Sequence, residues 1–207
     1  MNTNNNSTPL WGPARRSGGD KRGAALMIID VQNDFCPGGA LPVPEGDKVV
    51  PVINDLMDKF DYVIATRDWH PEQTVHFGKW PVHCVRNTKG AEFYPGLNMT
   101  KVDKIISKGT GNKDDGYSAF ETEELDLAAF LKQKGITDLY FTGLATEYCV
   151  KASALDAVKN GFKTFVITDA IRGIDVNKGD IEKAVQEMKE AGIEFTAPPR
   201  PSPKGRE

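Results

Sequence analysis

The sequence predicts an α/β fold, a mostly parallel six-stranded sheet with helices on both faces in three layers. Two patterns and one bound point there. Short apolar runs of strand length alternate with stretches whose apolar residues recur at helical spacing. The runs lie far enough apart for crossover connections, which parallel strands require. At 207 residues the chain is long enough for one sizeable core and short for two.

The first strand is expected over residues 25–30, inside the run AALMIID, the most apolar of the chain, which ends on a carboxylate. A helical pattern follows over 49–59 (VVPVINDLMDK), then strands over 62–66 (YVIAT) and 104–107 (KIIS). A helix over 125–134 (LDLAAFLKQK) leads into a strand over 139–142 (LYFT). The next helix, 147–160, sets Val150, Ala154, Ala157 and Val158 on one side, with Thr146 as its cap and Gly161 just past its end. A strand over 163–168 (KTFVIT), a helix over 179–191 and a weak strand over 194–196 (EFT) complete the set. Residues 1–23, rich in Asn, Ser, Gly and Arg, read as a disordered leader, and the proline-rich residues 198–207 as a loose tail. Residues 24–197 form the folded domain between them.

Composition narrows the function classes. A net charge of −3 and a pI near 5.7 leave no global basic field for nucleic acid or acidic lipid. No apolar run approaches the about 20 residues that span a bilayer, and no signal-peptide core precedes the first strand. The three cysteines, Cys36, Cys84 and Cys149, cannot all pair with one another, and none belongs to a CxxC motif. Free thiols in a reducing cytosol are the expectation, with a small molecule as partner and self-association left open.

Sheets of this kind place their sites beyond the carboxyl ends of the strands. That rule selects Asp30, Asp68, Lys108 and the turn before Cys149. Asp68 and His70 stand two residues apart in TRDWHP, and His76 and His83 follow within thirteen residues of His70. One histidine in such a loop is most simply a hydrogen-bonding residue. The whole histidine complement beside an aspartate favours a Zn²⁺, Fe²⁺ or Mn²⁺ site with room to polarise a ligand. Cys149 stands where TGLATEYCV passes from strand to helix, a position at which backbone N–H groups and the helix dipole favour a thiolate. Its pKa is therefore expected below the ~8.5 of a free cysteine. Asp30 would be costly at the end of an apolar strand without a partner or a task, and Lys108 could supply the cation. Spacing alone does not join them to Cys149.

What joins them is a resemblance running from about residue 25 to 195. It is carried by DVQNDFCPGG (30–39), TRDWHP (66–71), WPVHCV (80–85), GAEF (90–93), SKG (107–109), GYSAF (116–120) and GLATEYCV (143–150) in this order. The chain resembles the nicotinamidase (pyrazinamidase) family of the isochorismatase-like cysteine hydrolases. The resemblance implies a catalytic trio of Asp30, Lys108 and Cys149. It implies one divalent metal ion, zinc foremost, held by Asp68, His70 and His83, with His76 at the spacing of a further ligand in some members. It further implies a cis peptide before Ala145 that aims the N–H groups of Ala145 and Cys149 into an oxyanion hole. Phe35, Leu41, Trp80, Tyr117 and Tyr148 match positions that enclose a flat ring, although core packing explains Leu41 nearly as well. The implied reaction converts nicotinamide to nicotinate and ammonia in NAD salvage, with pyrazinamide as a further substrate. The chain departs from the family in a compact loop between His70 and His83 and in the stretch GTGNKDDGYS (109–118). Rival readings are a metal-free amidohydrolase of carbamoyl or ureido substrates, an isochorismatase, and an inactive metal-binding protein.

Overall fold

The computed structural model describes residues 23–197; the expected leader and tail fall on residues 1–22 and 198–207, outside the described residues. Gly23, expected to close the leader, is instead the first residue of β1 (Gly23–Ile29), its N–H donating to Gly135 O. The remaining elements are α1 (Val49–Leu56), β2 (Tyr62–Asp68), β3 (Lys104–Lys108), α2 (Leu127–Gln133), β4 (Ile136–Leu144), α3 (Lys151–Lys159), β5 (Lys163–Arg172), α4 (Asp180–Glu190) and β6 (Glu194–Thr196). The six strands pair in the order β3-β2-β1-β4-β5-β6, all parallel.

Alternation along β1 explains the three layers. Leu26 and Ile28 pack into one core with Val49, Val50, Ile53 and Leu56 of α1. Ala25, Met27 and Ile29 point the other way, into a second core with Leu127 and Leu131 of α2, Ala154 and Ala157 of α3, and Met188 of α4. A strand buried on both sides has no polar face to show, which is why its sequence is a continuous apolar run. The strand order reverses between β1 and β4. The loops leaving those two strands diverge to opposite faces and open a crevice at their carboxyl ends.

Several elements have bounds a few residues from the expected ones, and two of the differences shape that crevice. β4 runs on through Gly143, where φ is +104° and an ideal Cβ would lie 2.0 Å from Ile29 O. Only glycine lets β4 approach β1 so closely at this point. The helix expected from 147 is not regular at its start. Residues Thr146–Val150 form one wide π-type turn, and α3 begins only at Lys151. Thr146 is not the cap: Ala145 occupies the flanking position, and no side chain caps the turn. π-type turns cluster at functional sites because they displace side chains from helical register. Gly161 follows α3 with φ +85°, as its position suggested.

Candidate active site

The crevice gathers one residue from each of four strand ends. Asp30 follows β1, Asp68 closes β2, Lys108 closes β3 in register with Asp68, and Cys149 lies in the turn after β4. Lys108 is their hub. Its Nζ lies 2.7 Å from Asp30 Oδ2 and 3.4 Å from Cys149 Sγ, and it donates to Asp68 Oδ1 at 2.5 Å and Gly116 O at 2.6 Å. Asp30 is fully buried, and its Oδ1 accepts a 2.7 Å hydrogen bond from Thr66 Oγ1. Its Oδ2 is close to the ammonium but not aligned as a hydrogen-bond acceptor, so one oxygen keeps capacity for a proton. Ligand-capable atoms of Asp30, Asp68 and Cys149 all lie within 4.8 Å of one another.

Burial and charge work against each other here, and the balance differs from group to group. Burial raises Asp30 to about 6, because Lys108 offsets the desolvation only in part and Asp68 adds repulsion. Burial acts on Asp68 in the same direction, but Lys108 and His70 outweigh it and hold that carboxyl well below the usual range. Burial would lower the Lys108 ammonium, yet Asp30 and Asp68 more than reverse this and keep it charged. Cys149 overturns the sequence expectation. Burial pushes its thiol well above an ordinary cysteine; Lys108 pulls down, but Asp30 and Asp68 push up as well. Two carboxylates brought from other strands, Asp30 and Asp68, add to burial in opposing the helix-start effect. The resting group is therefore a thiol beside a carboxylate whose pKa is near 6.

The other two cysteines are fully buried; burial raises Cys36 to about 12 and Cys84 well above the ordinary range. Cys149, 8% exposed, lines the crevice.

His70, His76 and His83, all buried, offer ring nitrogens within 4.8 Å of one another. Each Nδ1 faces an oxygen: Gly109 O at 2.9 Å for His70, Asp114 Oδ1 at 3.3 Å for His76, and Pro81 O at 2.7 Å for His83. Such partners place the proton on Nδ1 and leave the Nε2 lone pair for a ligand. His70 Nε2 is buried without a hydrogen-bond partner among the described residues, 3.6 Å from Asp68 Oδ2, and His83 Nε2 is 3.9 Å from the same oxygen. Burial lowers the pKa of both His76 and His83, which favours neutral imidazole. Three imidazoles and an ionised carboxylate, with one ring nitrogen lacking a partner among the described residues, fit a divalent cation of the zinc type. Gly109, at φ +62°, makes room: an ideal Cβ there would sit 2.4 Å from the His70 ring.

Between the histidines and Cys149 lies a pocket with about 420 Å³ of space, its open mouth included. Phe35, Leu41, Trp80, Tyr117 and Tyr148 all line it. Trp80 Nε1 donates to Tyr117 OH at 2.9 Å, and its ring meets Tyr148 edge-on at 5.0 Å, so three aromatic side chains brace one another. Ala145 lines the floor, and its peptide bond to Leu144 is cis. Ala145 O accepts from the N–H groups of Tyr148 and Val150, tying the floor to the Cys149 turn.

Several contributors were not singled out from sequence. Ile174, Asp115 and Gly116 also line the pocket. Gln32 grips the backbone of Asp68, its Oε1 accepting from Asp68 N and its Nε2 donating to Asp68 O, both at 2.8 Å. Asp114 accepts from His76 and also pairs with Lys79. Gln32 stands inside the DVQNDF motif and could have been noticed there. Asp114, Asp115 and Gly116 lie in the stretch 109–118 already marked as a departure from the family, whereas nothing local marks Ile174.

The chain is similar to known proteins over most of its length. The isochorismatase domain matches residues 24–197. The nicotinamidase of Acinetobacter baylyi is 39% identical over 194 residues, covering 82% of this chain and 90% of its own. Among solved structures, the pyrazinamidase of Pyrococcus horikoshii in complex with zinc is 47% identical with a TM-score of 0.75, covering 84% of this chain and 98% of its own. PnC1 from L. infantum, solved in complex with nicotinate, is 32% identical with a TM-score of 0.80, covering 86% and 94%.

Proposed function

The chain belongs to the isochorismatase family, and from that premise we propose how it acts as a nicotinamidase, hydrolysing nicotinamide to nicotinate and ammonia as its curated relatives do. The observation that carries the proposal is the contact of Lys108 Nζ with Asp30, Asp68 and Cys149 at one end of a pocket whose other end holds three histidines.

Asp30 takes the Cys149 thiol proton, and Lys108 stays charged beside both groups as the negative charge moves. The thiolate attacks the carboxamide carbon, and the N–H groups of Ala145 and Cys149 stabilise the oxyanion. Asp30 returns the proton to the amide nitrogen, ammonia leaves and a thioester remains. Asp30 then accepts a proton from water as it attacks. Nicotinate departs, and the Cys149 sulfur regains a proton. Phe35, Trp80, Tyr117 and Tyr148 hold the ring, with Leu41 at the rim. Asp68, His70, His76 and His83 would hold a divalent ion, zinc by donor set and by likeness to the zinc-bound relative, with Fe²⁺ or Mn²⁺ also suited. When bound, that ion supplies a Lewis acid for the pyridine nitrogen. The product suits NAD salvage, and pyrazinamide, which presents the same ring nitrogen and carboxamide, is the expected second substrate. No described helix is long and apolar enough to cross a membrane.

Ammonia release from nicotinamide, with and without chelator, tests the reading directly. A metal-free enzyme of carbamoyl or ureido substrates would ignore the chelator and prefer a non-aromatic amide. His70→Ala is expected to deplete bound metal and raise the nicotinamide KM or abolish turnover while the protein stays folded. Metal content by plasma mass spectrometry, read beside circular dichroism, checks this; full occupancy with normal kinetics would remove His70 from the ligand set.

The Asp30 environment gives a pH prediction. The base must be ionised in the free enzyme, and its pKa is raised to about 6. Thus kcat/KM should be flat above that value and fall about tenfold per unit below it. A profile still flat at pH 5 would show that Asp30 is not the titrating base.

A further inference from the structure

Glu147 stands two residues before Cys149, yet the hydrolytic steps do not use it. Its side chain is buried, with 5% of the residue exposed. Oε1 accepts from the backbone N–H of Ile174 at 2.8 Å and of Asp175 at 2.9 Å. Oε2 is buried with no hydrogen-bond partner among the described residues, and an ideal Cβ on Gly173 would lie 2.5 Å from it. The carboxylate is thus wedged against the segment that leaves β5 after Arg172. That segment carries Ile174 into the pocket wall, beside Tyr148 and Cys149. Its far end is fixed separately: Asp175, at φ +56°, accepts from the N–H groups of Gly179 and Ile181 at the start of α4.

Burying a carboxylate with one oxygen unpaired is costly, so its two charge-assisted bonds to the segment must matter to the fold or to the site. We propose that Glu147 is a positioning residue that docks the Ile174 wall onto the nucleophile turn, and that Ile174 is a specificity-determining contact for the aromatic ring of the substrate. The inference rests on the nicotinamidase reading. One short turn then carries both the attacking sulfur and the clamp for the Ile174 wall, so the ring is registered against the nucleophile by the same element. Ile174 touches the ring and not the reacting atoms. Its contact is equal in the ground and transition states and sets KM, leaving kcat alone.

Ile174→Ala should raise the nicotinamide KM roughly tenfold or more, the scale of lost methyl and methylene contacts in an apolar pocket, with kcat within about twofold. Glu147→Ala should produce the same KM shift, and the double variant no more than about twofold beyond either single, because both remove one wall. Additive shifts, or a Glu147→Ala variant with a lowered thermal midpoint and unchanged KM, would make Glu147 merely structural. Glu147→Gln keeps the shape and loses the charge, so it carries the test should the alanine variant not fold. Hydrogen exchange at the Ile174 and Asp175 amides should then be several-fold faster, since a neutral acceptor holds them about half as strongly. Unchanged exchange would overturn the clamp itself. Absence of ammonia release from the unsubstituted protein would instead overturn the substrate reading, whatever the amides do.

Discussion

Cys149→Ala is expected to lose essentially all ammonia release from nicotinamide, by at least about 10⁴-fold, the scale set by removing a nucleophile that acts as a unit with its base. Neither of the other cysteines can replace it: Cys36 and Cys84 are fully buried and do not line the pocket. The substitution deletes one sulfur at a site that already contacts open space, so thermal stability should change little. Cys149→Ser should be similarly crippled. A hydroxyl must give its proton to Asp30 across a far larger pKa gap than a thiol, even a thiol raised by burial. Iodoacetamide should label Cys149 before Cys36 and Cys84. The reason is access to the pocket, not thiolate character, and labelling should therefore be slow near neutral pH and quicken as pH rises. Nicotinamide or nicotinate should slow it further. Peptide mass spectrometry reads the order of labelling, and near-parental ammonia release by Cys149→Ala would replace the thioester route with attack by water.

The elements of the fold were legible because each carries its own pattern. Runs such as AALMII and KTFVIT are apolar on both faces, and that alone makes them interior strands of a covered parallel sheet. The helix starting near Cys149 was legible only in outline. Its wide first turn depends on how Gly143 lets β4 close against β1, a contact between residues 114 positions apart. Asp68 and the three histidines could be grouped because they share one loop region. Asp30, Lys108 and Cys149 were associated only through the whole motif set, since three strands separate them in sequence. The sign of the Cys149 shift was not legible at all. It depends on the count of carboxylates within a few ångströms, and local sequence does not contain that count. Ile174 and Glu147 went unnoticed for the same reason: the hydrogen bonds between their segments close a 27-residue gap.

Lys108→Met is the substitution expected to disturb the protein most broadly. Methionine matches the stem in length and adapts to the cavity, so the change removes the charge with little loss of packing. What it leaves is the Asp30 and Asp68 carboxylates, both buried within 4.8 Å of each other and without their shared cation. Breaking a buried pair from one side typically costs about 3–5 kcal/mol, and here one ammonium serves two partners. The pH dependence follows from the sign of each shift. Lys108 depresses the Asp68 pKa, which stabilises the fold above the unfolded carboxylate value near 4, and that contribution is lost as pH falls through the lower folded value. Without Lys108 only His70 remains to offset the burial of Asp68, so its folded pKa rises and the stabilising contribution at neutral pH is lost. The stability deficit against the parent should therefore be largest near pH 7 and narrow as pH falls toward about 4. Activity should be lost at every pH, because Asp30 would hold its proton against Cys149 and the forming thiolate would have no cation. Urea unfolding across that range, read beside ammonia release, distinguishes these effects. A Lys108→Met protein that unfolded with the parent at pH 7 would mean that the carboxylates do not depend on the ammonium for their charge, and the proposed role of Lys108 would fall with it.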